Sequence, residues 1–421
     1  MSDYQIIVSH PAQQHSYHLA AGVKKQGMLL RYLTAIYDKT GSFGMSAARL
    51  LVRGRDSSKL SNRRCPELDD GEVELYYTLP SLAVIILSRS LRTKPLSYRL
   101  DRWIANRFGR KVAKRAIRLH ADAVICFLNN AESCFKYLQR HAPQITRVID
   151  ASSATVRYMA RLYESDMELT GNPGLRREVP SFFEPATVQK EQRELDLTDV
   201  FLAPSRYAAE SLSFCGVRRE IIQLLPFGSN LPLCDKPRGV PDSIRFIYVG
   251  QISYRKGVHH LLRLFRELPW AELDLVGQTF SQDLPNDYRD CPNIHFHGHL
   301  PRERVQELLD QSQVMVFNSL SDSFSLSCLE AMSRGLPVIA STQAGVCDLI
   351  REGENGFTFA PADSEALRRH VCYFRDHPEE YPRFSAAAME TASCYTWSAY
   401  EDRLAVILAE LRDQKHIQNR G

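Results

Sequence analysis

Short runs of apolar residues alternate with longer amphipathic segments along most of the chain. Residues 16–28 and 257–268 are amphipathic segments, with apolar side chains at helical spacing. The apolar runs, each the length of one buried strand, are residues 4–9, 121–127, 146–151, 199–205, 245–250, 273–277, 294–298, 314–319 and 337–341. Continuous apolar strands alternating with helices are typical of parallel sheets that are covered on both faces. The pattern therefore predicts an α/β protein.

The alternation is interrupted by "LLPFGSNLPLCDKPRGVPDS", residues 224–243, which is rich in proline and glycine. Such a composition is typical of a linker. We therefore expect two Rossmann-like domains, residues 1–230 and 231–395, with a cleft between them. Residues 41–100 show no clear period, and we expect them to be an irregular insertion.

The composition agrees with a soluble globular protein. At 421 residues the chain is too long for one core, and its 44% hydrophobic and 24% charged residues are ordinary values. Its ten cysteines lie at irregular distances without a Cys-x-x-Cys pair, which favours reduced thiols over a disulfide framework or a zinc site. The longest apolar stretch, residues 82–87, is far too short to span a bilayer. The chain enters a strand-like run almost at once, so we expect no signal peptide and a cytoplasmic location.

Positive charge is concentrated in the first part of the chain. Residues 1–150 hold 24 Lys and Arg against 12 Asp and Glu, whereas the remainder holds 29 against 37. Seven of these basic residues lie in 102–120, which contains no acid and interleaves them with apolar side chains. Two interpretations fit this stretch equally well: a basic amphipathic helix that contacts anionic lipid, or a solvated helix packed on its own domain.

The segment "SDSFSLSCLEAMSRGLPVIAS", residues 321–341, places Asp322 eight residues before Glu330. Asp322 lies between an apolar strand and a helix, at the carboxyl end of a parallel strand, where open α/β sheets bind ligands. The free amides at the start of that helix suit a phosphate. Glu330 lies about 8 Å along the helix axis from the start of that helix. A phosphate site with a carboxylate on each side would suit a ligand that carries hydroxyl groups on both sides of its phosphate. A nucleotide-sugar is such a ligand.

A second loop, in "YVGQISYRKGVHHLL", has the same placement after a strand. Arg255 and Lys256 precede the start of a helix, and Gly250 and Gly257 allow close approach of the backbone. A lysine at this position supplies a point charge for a diphosphate. By itself Lys256 would be read as a solvated loop lysine, but beside Asp322 and Glu330 the phosphate interpretation is favoured.

These two segments, together with "GENGFTF" and "DVFLAPSRYAAESLSFCGVRREIIQLLPFGSN", resemble glycosyltransferase family 4 over residues 199–410. Members of that family are retaining enzymes of the GT-B fold. The resemblance implies two Rossmann-like domains whose parallel sheets face each other across a cleft. It also implies that residues 396–421 form a C-terminal helix that crosses back to the N-terminal domain.

The resemblance assigns roles to residues of both loops. Lys256 would neutralise the donor diphosphate, Glu330 would hold the ribose hydroxyls, and Asp322 would meet the donor sugar. The remaining donor-binding residues that it implies are Gly250, Gln251, Phe324, Ser325 and Leu326.

The sequence departs from the family pattern at three positions. Asp322 stands where the family usually has glutamate, and Gln251 stands where it usually has arginine, with Arg255 as a candidate replacement. Asp150 occupies the place where many members have a histidine near the reaction centre, so we count it among the catalytic candidates.

The loop after the first strand, "SHPAQQHS", replaces the usual glycine-rich loop. We expect His10 and His15 to lie on the acceptor side of the cleft rather than to bind a metal with His18, because no carboxylate or cysteine accompanies them at ligand spacing. The chain also has no Asp-x-Asp pair. We therefore expect no metal and no cofactor.

Taken together, the residues and the resemblance predict a retaining, metal-independent hexosyltransferase-type enzyme. It would move a sugar from a nucleoside-diphosphate sugar to a glycan or lipid-linked acceptor in cell-surface polysaccharide or glycolipid biosynthesis. The enzyme would be cytoplasmic, with peripheral contact to the inner face of an anionic membrane through residues 102–120. The alternative within the same fold is a nucleotide-sugar epimerase or a sugar phosphorylase. A nucleic-acid-binding protein ranks lowest, because the basic stretch lacks an aromatic RNA-binding strand or a recognition-helix pattern.

Overall fold

The structure, a computed structural model, describes residues 4–41, 63–88, 94–229, 231–281, 283–284 and 286–418. Within these residues the chain forms two parallel sheets, one in each half, with helices between consecutive strands. The α/β alternation predicted from the apolar runs is thereby confirmed.

The first sheet has seven parallel strands in the described residues. They are β1 Ile6–Ser9, β2 Leu29–Thr34, β3 Val73–Leu75, β4 Ala123–Phe127, β5 Thr146–Asp150, β6 Val200–Ala203 and β7 Ile222–Leu224. Their spatial order is β3-β2-β1-β4-β5-β6-β7, so the direction of winding reverses between β1 and β4. The helices of this half are α1 Ser16–Lys25, α2 Thr78–Leu87, α3 Lys94–Arg118, α4 Glu132–His141, α5 Val156–Thr170, α6 Gly174–Glu178, α7 Pro185–Asp196 and α8 Arg206–Phe214.

The expectation that residues 41–100 are irregular is wrong for their second part. Residues 42–62 and 89–93 lie outside the described residues. Between and after them, β3 pairs with β2 at the edge of the sheet, and α2 and the first turns of α3 follow. The pattern missed these elements because β3 is only three residues long with a single fully buried side chain, and α2 is apolar on most of its faces.

The second sheet has six parallel strands in the described residues. They are β8 Arg245–Val249, β9 Glu272–Val276, β10 Ile294–Gly298, β11 Val314–Phe317, β12 Val338–Ser341 and β13 Gly356–Phe359, in the spatial order β10-β9-β8-β11-β12-β13. The helices are α9 Val258–Arg266, α10 Arg302–Gln311, α11 Leu326–Ser333, α12 Ser364–Asp376, α13 Tyr381–Ser393 and α14 Trp397–Gln418. Here the winding reverses between β8 and β11.

The last helix, α14, crosses back to the first sheet and packs along α1, as predicted. Trp397 stacks on His18 at 3.6 Å between ring centroids, and Lys415 forms an ion pair of 2.9 Å with Asp122. At the crossing point Gly228 lies against the backbone of Thr396, where an added Cβ would come within 2.2 Å. Only glycine allows the two segments to approach so closely.

None of the helices in the described part of the chain combines the length and the apolar composition needed to cross a bilayer.

Helix α7 carries two buried carboxylates that bind the amino ends of neighbouring helices. Glu194 accepts hydrogen bonds from the backbone N–H groups of Asn129, Ala131 and Glu132 at the start of α4. Glu191 accepts one from Val156 at the start of α5, at 2.7 Å. Carboxylates at these positions satisfy donors that a helix leaves unpaired. Burial nevertheless dominates and raises the pKa of both Glu191 and Glu194 to about 7.

This arrangement predicts that the first half of the protein loses stability as the pH rises. A carboxyl group whose pKa rises from 4.5 in the unfolded chain to about 7 in the fold stabilises the folded state below pH 4.5. That contribution is lost as the pH increases through 7, by at most about 1.4 kcal/mol per pH unit for each group. Urea unfolding between pH 5.5 and 8 measures the loss. In Glu191→Gln the decline should be smaller, because the amide still accepts from Val156 but does not titrate.

Glu210→Gln is the matched control, because Glu210 is exposed on α8. Equal pH dependence in the wild type and in Glu191→Gln would contradict the assignment.

Candidate functional site

The candidate site lies at the reversal of strand order in the second sheet. Strands β8 and β11 are neighbours, and the loops that leave their carboxyl ends diverge to opposite sides. This divergence opens a crevice, which is the usual ligand site of an open parallel sheet. Lys256 lies in the loop after β8, and Asp322 lies in the loop after β11. The two residues that the sequence singled out therefore face the same crevice.

Lys256 and Asp322 form a direct ion pair between Nζ and Oδ2. Their side chains are only 14% and 16% exposed, so the pair is shielded from water. Burial alone would raise the pKa of Asp322, but the charge and hydrogen bond of Lys256 outweigh it and hold that pKa below its usual value. In this structure each charge is thus compensated by the other.

The two loops are also locked together through the backbone. Gly257, directly after Lys256, has a φ of +63°, and an added Cβ would lie 1.7 Å from the carbonyl oxygen of Asn318 at the end of β11. No other residue type fits this contact. The position of Lys256 is therefore set by the neighbouring strand.

The start of α11 is strained and open to a ligand. Ser325 precedes the helix in the left-handed region, with φ 67° and ψ 76°, which is unfavourable for a residue with a side chain. Its Oγ is buried without a hydrogen-bond partner among the described residues. Asp322 accepts a hydrogen bond from the N–H of Phe324 at 3.0 Å, which shapes the turn. Strain of this kind persists where the surroundings impose it, commonly at functional sites.

A cavity of about 350 Å³ lies over the ion pair, between the two halves of the molecule. It is lined from the first half by Ser152, Ser153, Ala154, Met159 and Phe227, and from the second by Val249, Gly250, Arg255, Lys256, Phe317, Ser321, Asp322, Ser323, Phe324, Ser325, Leu326 and Ser327. Among the predicted donor-site residues Gly250, Arg255, Phe324, Ser325 and Leu326 thus join Lys256 and Asp322 around one space.

Gln251 and Arg255 contact each other at the rim of this cavity. An Nη of Arg255 donates to the side-chain oxygen of Gln251 at 3.0 Å. The Arg255 guanidinium also lies 3.9 Å from Glu178, a buried carboxylate of α6 in the first half. Arg255 therefore lies beside Gln251, the position where the family usually has arginine. It is close to polar side chains of both halves of the molecule.

Glu330 lies one turn beyond the cavity on α11. Its side chain is 29% exposed, with the guanidinium of Arg302 3.7 Å away. Burial raises the pKa of Glu330, and the charge of Arg302 opposes this effect. Glu330 does not line the cavity itself among the described residues, so a ligand would have to extend from the ion pair along α11 to reach it.

In the first half, His10, His15 and Asp150 come together at the carboxyl ends of β1 and β5. His15 Nε2 and Asp150 Oδ2 are 2.8 Å apart, with side chains only 8% and 3% exposed. Burial lowers the pKa of His10 to about 4, and its Nδ1 accepts from the N–H of Ala12. His18 is separate from this group, because it stacks on the last helix.

Phe227 connects the histidine group to the cavity. Its ring lies 4.2 Å from that of His15 and 5.4 Å from that of Phe324, measured between centroids. Sequence reasoning did not single out Phe227, although the residue lies in the "LPFGSN" segment that contributed to the resemblance. Glu178 and the serines at 152 and 153 were also missed, because isolated polar residues in the first half carry no recognisable spacing.

Residues 235–391 match the family model described as Glycosyl transferases group 1. The matched segment contains the whole second sheet and both loops of the ion pair. The site just described therefore belongs to the part of the chain that carries the family likeness.

Two curated proteins are similar in sequence to part of this chain. Sulfoquinovosyl transferase SQD2 of Arabidopsis thaliana is 31% identical over 165 residues, 38% of this chain and 32% of that protein. Glycogen synthase of Mycobacterium tuberculosis is 30% identical over 195 residues, 44% of this chain and 47% of that protein. The matched region thus spans about a third to about half of these relatives.

Similarity in three dimensions extends over nearly the whole chain. The crystal structure of Anabaena Alr3699/HepE in complex with UDP superposes with a TM-score of 0.63 at 16% identity, covering 97% of this chain and 100% of that one. At this identity the likeness establishes the fold. The chain has the GT-B architecture, with two Rossmann-like domains and parallel sheets.

The roles that the family resemblance implies for Asp322 and Glu330 predict different effects of substituting them. Glu330→Gln loses charge-assisted acceptance of hydroxyl hydrogen bonds, each worth roughly 1.5–3 kcal/mol, so a nucleoside diphosphate should bind this variant more weakly. Asp322→Asn frees Lys256 from its ion pair, so it should keep or raise diphosphate affinity, and it should lower the turnover of the intact donor. Calorimetric titration and turnover on both variants measure the difference.

Glu303→Gln, an exposed acid on α10, is the control. Melting temperatures distinguish a role in ligand binding from a purely structural role. Under a purely structural role, both variants would lose stability and keep their activity per folded molecule. Equal loss of diphosphate binding in Asp322→Asn and Glu330→Gln would refute the division of roles.

Proposed function

We propose that this protein is a retaining glycosyltransferase that moves a sugar from a nucleoside-diphosphate sugar to a hydroxyl of a glycan or lipid-linked acceptor. The observation that carries this proposal is the shielded Lys256–Asp322 pair at the strand reversal, facing the amino end of α11. The family match over residues 235–391 supports the same reaction class. Alr3699/HepE of Anabaena has been crystallised in complex with UDP and with UDP-glucose, which makes a nucleotide-sugar the natural donor class to test.

The proposed chemistry is electrostatic. The departing diphosphate would gain charge as the sugar leaves, and Lys256 together with the free amides of α11 would stabilise that charge in a site shielded from water. Once the diphosphate binds Lys256, the carboxylate of Asp322 is released from its ion pair and can accept hydrogen bonds from sugar hydroxyls. The ion pair thus keeps both groups neutralised until a donor arrives.

The first half would present the acceptor. The His15–Asp150 pair lies behind Phe227, which forms part of the cavity wall. We propose that His10, His15 and Asp150 shape the acceptor side. The leaving phosphate would help to deprotonate the acceptor hydroxyl, as the family resemblance implies, and we assign no protein nucleophile.

The basic stretch 102–120 remains our proposed contact with an anionic membrane. In α3 the apolar residues Ile104, Phe108 and Val112 are buried in their own domain. Arg110, Lys111 and Lys114 are exposed beside them. A membrane contact would therefore be mainly electrostatic, and it would place the enzyme at the inner face of the cytoplasmic membrane.

Incubation with a panel of nucleotide-sugars tests the reaction. One donor should be hydrolysed slowly without acceptor and should raise the melting temperature most, because a ligand of the folded state stabilises it by mass action. Lys256→Ala should lower turnover by about 100-fold or more, since its charge acts on the leaving group. Lys236→Ala, at an exposed lysine of the linker, is the control.

The products distinguish the alternatives. An epimerase would convert the donor without releasing nucleoside diphosphate, and a sugar phosphorylase would require inorganic phosphate. Near-normal turnover in Lys256→Ala would remove this site from the proposal.

Sedimentation with vesicles tests the membrane contact. Binding to vesicles that contain anionic lipid should weaken steeply from low to moderate salt. Combined Arg110→Gln, Lys111→Gln and Lys114→Gln changes should abolish it and leave donor hydrolysis intact. Arg115 is left unchanged, because it forms an ion pair of 2.6 Å with Glu74.

The matched control neutralises three exposed cations of the second half, Lys236, Arg263 and Arg266, and should still bind. Binding that is insensitive to salt, or no binding to anionic vesicles, would favour the solvated-helix interpretation of residues 102–120.

A further inference from the structure

One carboxylate and two imidazoles meet at the boundary between the two halves, outside the site described above. Asp166 comes from α5 of the first half, and His259 and His260 come from the first turn of α9 in the second. His259 Nε2 lies 3.1 Å from Asp166 Oδ2, and His260 Nε2 lies 2.6 Å from Asp166 Oδ1. One ligand atom of each residue lies within 4.8 Å of the other two. Asp166 is buried and the two histidines are partly buried, with side chains 6%, 12% and 14% exposed.

The cluster holds one carboxylate and two imidazoles. Asp166 has no lysine or arginine within ion-pair distance among the described residues, and its partners are the two histidines. A buried carboxylate is costly unless hydrogen bonds or a cation compensate it. A metal ion bound at this position would supply that positive charge.

We propose that Asp166, His259 and His260 bind a divalent transition metal ion of the zinc type across the domain boundary. Two imidazole nitrogens and one carboxylate oxygen form a common zinc ligand set, which leaves a fourth position for water. Tetrahedral bonds of about 2.0–2.1 Å place the ligand atoms about 3.3 Å apart, so side-chain shifts of about 1 Å suffice. Imidazole ligands favour such an ion over magnesium or calcium.

A metal ion binds the neutral form of an imidazole ring. One feature limits the affinity. His259 Nδ1 is buried without a hydrogen-bond partner among the described residues. Absence of such an outer partner typically costs about 10–100-fold in affinity, so we expect weaker binding than at a zinc site with complete outer hydrogen bonds.

The site would act on the arrangement of the two domains. His259 follows Lys256 by three residues, and the same loop is already held from the first half, where Glu178 accepts from the N–H of Tyr254 at 2.8 Å. A metal ion shared by α5 and α9 would add a coordinate bond to this boundary. It would stabilise the orientation in which the Lys256 loop faces the first half. The proposal concerns binding and does not depend on the reaction proposed above.

Titration of the whole chain with metal alone tests it. Protein freed of metal with a chelator is titrated with Zn²⁺ in a calorimeter and with Co²⁺ in a spectrophotometer. We expect one equivalent per chain and visible Co²⁺ bands of tetrahedral nitrogen and oxygen coordination, without a thiolate charge-transfer band. Asp166→Asn and His260→Gln should each weaken binding by about 100-fold or more.

Two control variants make the assignment specific. His297→Gln removes an imidazole that also contacts a carboxylate, Asp274, at 2.7 Å. Among the described residues no second histidine contacts Asp274, so this variant should bind metal normally. Cys394→Ser removes an exposed thiol and should also bind normally. Zn²⁺ should raise the melting temperature of the wild type and of both controls, and not that of Asp166→Asn.

Several outcomes would overturn the proposal. They are the absence of one-to-one binding, unchanged affinity in both site variants, and loss of binding in Cys394→Ser. If Asp166→Asn folds poorly without metal, His260→Gln decides, because it keeps the contact between His259 and Asp166.

Discussion

The reversal of strand order between β8 and β11 is the constraint on which the candidate site depends. Two neighbouring parallel strands send their following helices to opposite faces of the sheet, so a crevice must open at their carboxyl ends. Lys256 and Asp322 are 66 residues apart in the chain, yet they meet there in an ion pair. Gly257 lies against the backbone at Asn318, so the two loops are in direct contact.

This arrangement explains why the site can hold two opposite charges with little water. The desolvation of a buried ion pair is compensated only if the geometry is good and further hydrogen bonds are made. Asp322 meets that condition through Lys256 and the N–H of Phe324. The left-handed conformation of Ser325 is the local cost of aiming the amino end of α11 at the same space.

The first domain contributes to the site through its contacts with the loop after β8. Glu178 approaches Arg255 and accepts from Tyr254, and Asp166 contacts His259 and His260. The loop that carries Lys256 is therefore supported by both halves.

The sequence alone determined nine of the thirteen strands in the described residues, the parallel class of the sheets and the two loops that carry Lys256 and Asp322, because buried strands and strand-to-helix loops have local signatures of apolar runs and charged or small residues. It missed the strands β2, β3, β7 and β13 and the helix α2, whose patterns are too short, too mixed or too uniformly apolar to stand out. Only the tertiary structure decided that Lys256 and Asp322 pair with each other, that Phe227 joins His15 to the cavity, and that Asp166 meets two histidines from the other domain. These contacts join residues from distant segments. They depend on how the sheets wind and how the domains meet, and no local spacing encodes either.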